Sequence, residues 1–401
     1  MAVGKGTRKA LPRSGRKHSG ARASVGRRDV PLTPDEILQR DNLPASAPVP
    51  PKIADRLATR RLIVANTEKP VAFEELARIQ RGRRAAYSLA LSARAVVGVP
   101  GRTLSRLPFR RSTTRVTRRT VTFKPYRPKW VDHVFHPKRS VPQSWARGPV
   151  VRRGYSGEVY YGVFPPDDRA VYYPSGYPWH CVGKIFAWNN ASSPWPAWTG
   201  SGVLIGPRLV LTAGHVVPWD AATWMMRFVP AYYDGNSILG AGGESYVSDA
   251  QGWDLSYVSR TPNAHDMAVL RLYDPLGDWL GYFGSKPYWQ GYPEMRYWNV
   301  TGYPAVVASA ERPSYQPGIE VVDVEPDGNA IKIEHLGDTT NGNSGGPFWA
   351  TWPDGFPYAI GTVSGGEASW DSSGNVIEDV NVVAGGNDLN DLIRWGRANW
   401  P

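Results

Sequence analysis

From about Tyr155 to the C-terminus, short apolar runs alternate with Gly, Pro, Asn and Asp. The runs include EVYYGVF, GSGVLIGPRLVLTAGHVV, DMAVLRLY, GIEVVDVE, AIKIEHL, GPFWA, YAIGTVSGG and VIEDVNVV. Apolar runs of about four to eight residues bounded by turn formers are the pattern of an antiparallel sandwich or barrel. Glu320–Val324 and Ala330–Glu334 flank PDGN, which predicts a hairpin. The end of the chain changes period. From Asp388 to Trp400, Leu389, Leu392, Ile393 and Trp400 fall near one helical face and predict a closing helix.

The first part of the chain has another texture. Residues 1–30 contain nothing to build a core and read as disordered. Residues 31–51 are Pro-rich and linker-like. Thr33 and Glu36 are spaced as a capping box that opens a short helix. Residues 71–97 read as helix, and 101–130 are rich in Arg, Thr and Pro. The apolar stretch from Ala85 to Pro100 is broken by Arg94 and is too short to span a bilayer. No secretory signal is expected at the N-terminus, because the basic stretch leads into no apolar region. No internal repeat is visible.

Composition agrees with the pattern. Of 401 residues, 42 are Gly and 36 Pro, which favours turn-rich β structure over a bundle of long helices. A single cysteine, Cys181, excludes an intrachain disulfide framework and a multi-cysteine metal site, and it reads as a small buried hydrophobe. Charge divides the chain. The whole carries 47 Lys+Arg and 35 Asp+Glu. Residues 1–150 hold 33 and 9 of these, a surplus of +24, which leaves 14 and 26, or −12, for the remainder. Fields of opposite sign attract each other or separate partners. Three readings of the basic segment follow: a solvated leader, a pro-segment docked on the acidic part, or an arm for nucleic acid or another anionic surface. No aromatic-interleaved motif supports nucleic acid as a partner. The expected division is a basic extension over 1–150 and a β domain over 155–401.

Three segments of the β domain carry candidate chemistry. LTAGHVV ends an apolar strand on His215. HDMAVLRL begins one with Asp266, and a carboxylate entering a core needs a hydrogen-bond donor such as an imidazole N–H. GDTTNGNSGGPFW surrounds the hydroxyl of Ser344 with small residues that permit a tight, N–H-rich backbone. A serine needs a base within reach, and the base needs an orienting acid. The backbone N–H groups of Gly342 and Ser344 are candidates for an oxyanion hole.

With TAGHVV around His215, HDMAVL around Asp266 and GNSGGP around Ser344, the chain resembles the trypsin/chymotrypsin-fold serine peptidases, in their bacterial V8-like branch. The order His, Asp, Ser matches as well, and it differs from the orders of subtilisin-like enzymes and α/β-hydrolases. The resemblance covers about 175–401. It implies two six-stranded antiparallel β-barrels with the site between them. It also implies His215 as general base and acid, Asp266 as its orienting acid and Ser344 as nucleophile of a serine endopeptidase acting on protein or peptide substrates. Ser364, Gly365 and Gly366 resemble the strand that pairs with substrate. Asp338, Thr339 and Thr340 resemble the lining of the specificity pocket. The resemblance implies no cofactor and no metal, and it implies secretion, although no clear signal peptide is present.

Several residues have competing readings. Asp254 is the alternative acid, and Asp266 is preferred because an apolar strand follows it. His265 reads as structural or surface, since it alternates with Asp266 along a strand. His133 and His136 lack further ligands nearby. Val216 stands where many relatives have a cysteine. Asn343 stands where animal zymogens carry an Asp that pairs with a freed N-terminus, so activation by that ion pair is not expected. An acid at Asp338 favours a basic residue at P1 (the substrate position on the N-terminal side of the cut bond). Some glutamate-specific bacterial relatives also carry Asp there, but usually with a His where this chain has Val363. A pro-segment would end between Arg139 and Arg153. The alternative of another class is a protease-fold binding protein whose basic arm holds anionic surfaces. An esterase-like hydrolase would use the same residues.

Overall fold

The structure is a computed structural model that describes residues 29–40, 46–58, 64–65, 90–92, 95–97, 99–108, 121–135, 162–164, 166–254, 264–289, 291–292, 295–370, 372 and 376–401. Expectations for 1–28, for most of 71–97 and for a cleavage point between Arg139 and Arg153 lie outside these residues, as does His136.

The capping box forms as predicted. Thr33 Oγ1 accepts from the Glu36 N–H at 3.2 Å, and Glu36 Oε2 accepts from the Thr33 N–H at 2.9 Å, opening α1 (Pro34–Leu38). A second helix, α2, covers Pro51–Ala58. Within the predicted 71–97 helix, the described pieces are strands. β2 (Ala90–Ser92) and β3 (Ala95–Val97) join β1 (Val64–Ala65) in a small antiparallel sheet. Valine-containing segments favour extended backbone when a neighbour pairs with them.

The strands that follow are β4 (Thr103–Leu107), β5 (Ala170–Val171), β6 (Val182–Trp188), β7 (Trp198–Leu204), β8 (Leu209–Thr212) and β9 (Met225–Pro230). Next come a two-residue ladder, β10 (Tyr232–Tyr233) with β11 (Asn236–Ser237), then β12 (Ser245–Trp253) and β13 (Ala268–Leu272). Six of them close a barrel in the order β13-β8-β7-β6-β9-β12, with β12 pairing back onto β13. Every pair in the ring is antiparallel. β4, from the Arg-rich part of the chain, adds to β12 in parallel, from Thr103 opposite Asp249 to Leu107 opposite Trp253.

A short helix, α3 (Leu276–Leu280), leads to the second sheet. Its further strands are β14 (Gly284–Ser285), β15 (Trp298–Gly302), β16 (Ser314–Ile319), β17 (Val321–Asp327), β18 (Ala330–His335), β19 (Pro347–Thr351), β20 (Pro357–Trp370) and β21 (Val376–Gly386). The order is β17-β18-β21-β20-β19-β15-β16-β5, with β14 beside β20. β15, β16 and β18–β21 are the main strands, and the two-residue β5 and β14 and the hairpin arm β17 raise the total to nine. The PDGN hairpin closes with Asp327 opposite Ala330.

The predicted closing helix is α4 (Asn387–Asn399), with Leu389, Leu392 and Ile393 buried. It meets both sheets. A side chain at Gly396 would touch Leu209 and Val269 of the barrel, while Asn387 N–H bonds Asn329 O near the hairpin turn. His265 is fully buried under this helix, with Nε2 3.0 Å from Asp388 Oδ2. Cys181 is buried as expected. Among the described residues, no helix is long and apolar enough to cross a membrane.

Segments before residue 150 pack on these sheets. Leu32 N–H bonds Thr351 O, and Leu32, Ile37 and Phe135 form an apolar cluster. Phe123 exchanges backbone bonds with Ser285, and Tyr126 with Tyr282. Leu104 and Leu107 pack against the main core.

Candidate active site

The strand ladder brings His215 and Asp266 together. β8 and β13 are antiparallel neighbours with Thr212 opposite Ala268. The chain therefore leaves β8 toward His215 at the same edge where it arrives at β13 through Asp266. A 3-10 turn over Gly214–Val216 then presents His215. Asp266 grips that residue twice. Its Oδ1 accepts the His215 backbone N–H at 2.8 Å, and its Oδ2 lies 2.7 Å from His215 Nδ1. A side chain at Gly214 would come within 3.0 Å of Asp266 Oδ1, so glycine there lets the carboxylate sit against the turn. Asp266 is wholly buried, while about a third of the His215 side chain (32%) is exposed.

Electrostatics fix the proton positions. Burial alone raises a carboxyl pKa. For Asp266 the charge of His215, its ring and backbone hydrogen bonds and a bond from Ser364 outweigh burial and hold the carboxyl below its ordinary range. For His215 burial works against the charged ring, but the charge and hydrogen bond of Asp266 outweigh it and raise the pKa above the usual value. An ionised carboxylate only accepts hydrogen bonds. Nδ1 of the neutral imidazole therefore carries the proton and Nε2 carries the lone pair.

Ser344 lies in the loop between β18 and β19 and is 5% exposed. Two routes link it to the His–Asp pair. In the first, Gly345 N–H bonds Val363 O, and the next residue, Ser364, donates to Asp266 Oδ2. In the second, Ser344 O accepts the N–H of Ser201, whose own carbonyl accepts Thr212 Oγ1, three residues before His215. Ser201 also joins the two sheets. Its Oγ donates to Gly342 O at 2.7 Å and accepts Tyr303 N–H at 2.8 Å.

The loop around Ser344 uses backbone shapes open to glycine. Gly342 has φ +95° and Gly345 has φ +81°. Asn343 is buried and its Oδ1 accepts the Thr340 N–H at 3.1 Å, an internal brace of the loop. Gly365 and Gly366 pair with Val382 and Asn381 in β21.

The candidate pocket residues Asp338, Thr339 and Thr340 bond to other parts of this chain. Asp338 is 1% exposed, and its carboxylate serves this chain's own backbone. Oδ1 accepts Phe164 N–H at 2.7 Å, and Oδ2 accepts Asp168 N–H at 2.9 Å and Gln316 Nε2 at 3.3 Å. Thr339 N–H bonds Gly162 O, and Thr340 Oγ1 accepts from Arg169. Sequence reasoning missed Ser201, and it missed Ser364 as a partner of Asp266. It also missed Trp219, whose Nε1 donates to Gly214 O at 2.8 Å behind the His215 turn. Asp254 is bonded through its backbone N–H to Leu107 O. His133 is buried and stacked on Phe135.

With this geometry in view, comparison with known proteins adds four likenesses. Residues 185–385 match the family described as Trypsin. The peroxisomal leader peptide-processing protease of Mus musculus is 26% identical over 189 residues, which are 47% of this chain and 29% of that protein. The chain thus spans less than a third of the length of that curated relative. Among solved structures, a Glu endopeptidase in complex with MPD is 18% identical with a TM-score of 0.43, covering 59% of this chain and 100% of its own. Protease Anisep from Arthrobacter nicotinovorans is 20% identical with a TM-score of 0.40, covering 54% and 93%.

Proposed function

The chain belongs to the trypsin family and is a serine-type peptidase, and on that premise we propose that His215, Asp266 and Ser344 are its catalytic triad. The observation that carries the reading is the double grip of Asp266 on His215, which fixes both the turn and the ring.

In this mechanism Ser344 Oγ attacks the carbonyl carbon of the scissile peptide bond while His215 Nε2 takes its proton. The C=O π electrons move onto oxygen, which the N–H groups of Gly342 and Ser344 receive. Removing one such donor typically costs about 3–4 kcal/mol in the barrier. His215 then passes its proton to the leaving amine nitrogen, the C–N bond breaks and an acyl-enzyme remains. Water repeats the sequence, with His215 again as base, and frees Ser344. Asp266 stays ionised throughout and stabilises the imidazolium.

The basic extension docks on the acidic β domain in the same reading. Arg56 and Asp274 form an ion pair at 3.0 Å with both side chains largely buried, which supports it.

A fluorophosphonate probe tests the triad. Ser344 is expected to be labelled in the folded wild type and not in Ser344→Ala, and peptide cleavage is expected to disappear in the same variant. A folded wild type that neither labels nor cleaves peptides would favour a binding protein on this fold.

A further inference from the structure

Asp338 is the one acid expected at the floor of the specificity pocket, yet its carboxylate faces a segment of this chain. That segment, described at residues 162–164 and 166–169, is anchored at several points. Gly162 is held across its peptide by Asn381, which accepts its N–H at 2.8 Å and donates to its carbonyl at 2.8 Å. The same carbonyl receives Thr339 N–H at 2.9 Å. Phe164 and Asp168 donate their N–H groups to the two oxygens of Asp338. Arg169, its side chain 1% exposed, forks onto Asp167 at 2.9 and 2.7 Å and donates to Thr340 Oγ1 at 3.0 Å.

Asn381 sits opposite Gly366 in the ladder of β20 and β21. Gly162 therefore links the strand behind Gly366 to the loop 338–340. Three donors already serve the Asp338 carboxylate. A P1 guanidinium binding through two bonds needs two of the carboxylate's roughly four lone-pair sites and would have to displace at least one donor, and each hydrogen bond to a charged group is worth about 1.5–3 kcal/mol. Burial pushes this carboxyl up to about 6 in spite of the two backbone donors, as fits a group shut away from solvent. The loop it opens runs from Asp338 through Gly342 to Ser344, so bonds at its start fix the N–H groups at its end.

We propose that Asp338 is a positioning residue that ties residues 162–164 and 166–169 to the nucleophile loop, and that it does not select a basic side chain at P1. The inference rests on the triad reading above. It gives the loop an anchor made from an internal stretch of chain. That fits Asn343, a neutral residue that cannot pair with a freed amino terminus.

The test uses the full chain and a peptide series varied only at P1. Wild type is expected to cleave after Lys or Arg no faster, in kcat/KM, than after uncharged residues. Asp338→Asn puts an amide N–H₂ against a backbone N–H. It is expected to lower kcat about tenfold while leaving KM and the P1 ranking unchanged. Arg169→Gln, which loosens Thr340, is expected to lower kcat about threefold with the same ranking. Wild type preferring Lys or Arg by about tenfold would overturn the proposal even if Asp338→Asn does not fold. So would an Asp338→Asn enzyme that keeps kcat and loses a basic preference. Absence of fluorophosphonate labelling in wild type defeats the triad reading, whereas labelling together with a basic P1 preference defeats only this one.

Discussion

Ser364 donates its hydroxyl to Oδ2 of Asp266, the same oxygen that faces His215 Nδ1. A residue of the second sheet thereby completes the acid that orients the base on the first. Three donors meet one buried carboxylate, so its geometry is set from both sides of the crevice. Removing one donor leaves the others to carry an anion with no access to water. Ser364→Ala is expected to cost about 1–3 kcal/mol of stability and to lower kcat several-fold with little change in KM. Denaturant unfolding and steady-state kinetics on one peptide check both.

The coupled shifts of His215 and Asp266 fix the pH behaviour. The imidazole must be neutral to take the Ser344 proton, and its pKa lies above the ordinary 6.5. Activity should therefore fall on the acid side with a midpoint above pH 6.5. Asp266→Asn removes the charge that raises it. The midpoint should drop and kcat should fall by ~10⁴-fold. Stability follows the same signs. Asp266, with its pKa held down, stabilises the fold above the ordinary carboxylate range, and that contribution is lost as pH falls through its folded value. His215, with its pKa held up, stabilises below about 6.5, and its contribution is lost as pH rises through the raised value. Kinetic and unfolding profiles of wild type and Asp266→Asn test each sign.

The proposed triad could be picked out because each member sits in a short run with its own local pattern: an apolar strand ending on His215, one beginning after Asp266, and small residues around Ser344. The closing helix and the PDGN hairpin were legible for the same reason. What stayed hidden depends on contacts between distant segments. Ser201, in TGSGVL, is a hydroxyl between glycines on an apolar strand, but nothing local says that it serves Gly342 O and Tyr303 N–H. The partners of Asp338 stayed hidden because they are mainly backbone N–H groups, which every residue but proline offers and no side-chain pattern marks. The strand Thr103–Leu107 was hidden by Arg106 and the arginines that flank it. Its pairing comes from the backbone, while Leu104 and Leu107 supply the apolar contact.

Gly345 tests how tightly the nucleophile loop is seated. Its φ of +81° already disfavours a side chain, and an added Cβ would lie 2.0 Å from Thr212 Oγ1 and 2.3 Å from Ser201 O. Gly345→Ala is expected to cost about 3 kcal/mol or more, through clash added to strain. Gly355 has a similar φ of +84°, but its nearest atom is a Phe135 ring carbon at 3.3 Å. Gly355→Ala should cost only about 1–2 kcal/mol, the strain alone. Thermal melts of the two variants separate the terms, and equal losses would mean that the seat of the loop yields.

The basic extension offers two different forces, and salt distinguishes them. Attraction between +24 and −12 weakens within a Debye length of about 8 Å at physiological ionic strength. The ladder of β4 on β12, the bonds from Gly101 N–H to Trp224 O and from Asp254 N–H to Leu107 O, and the apolar contacts of Leu104 and Leu107 carry no net charge. A side chain at Gly101 would overlap the Trp224 ring at 2.1 Å, so the segment lies flat against the barrel there. Arg106 lies over Trp219, 5.1 Å from the ring centroid, and Trp219 holds Gly214 O beside His215. Loss of β4 thus exposes an edge of β12 and removes support behind the base. A chain beginning at Tyr155 is expected to melt well below the full protein. A peptide spanning residues 99–135, added in trans, is expected to restore much of the loss. If pairing and apolar contact dominate, its midpoint concentration should shift less than about threefold between 50 and 500 mM salt. A steep loss of binding with salt would assign the attachment to charge, and the extension would then be a docked leader instead of a working strand of the barrel.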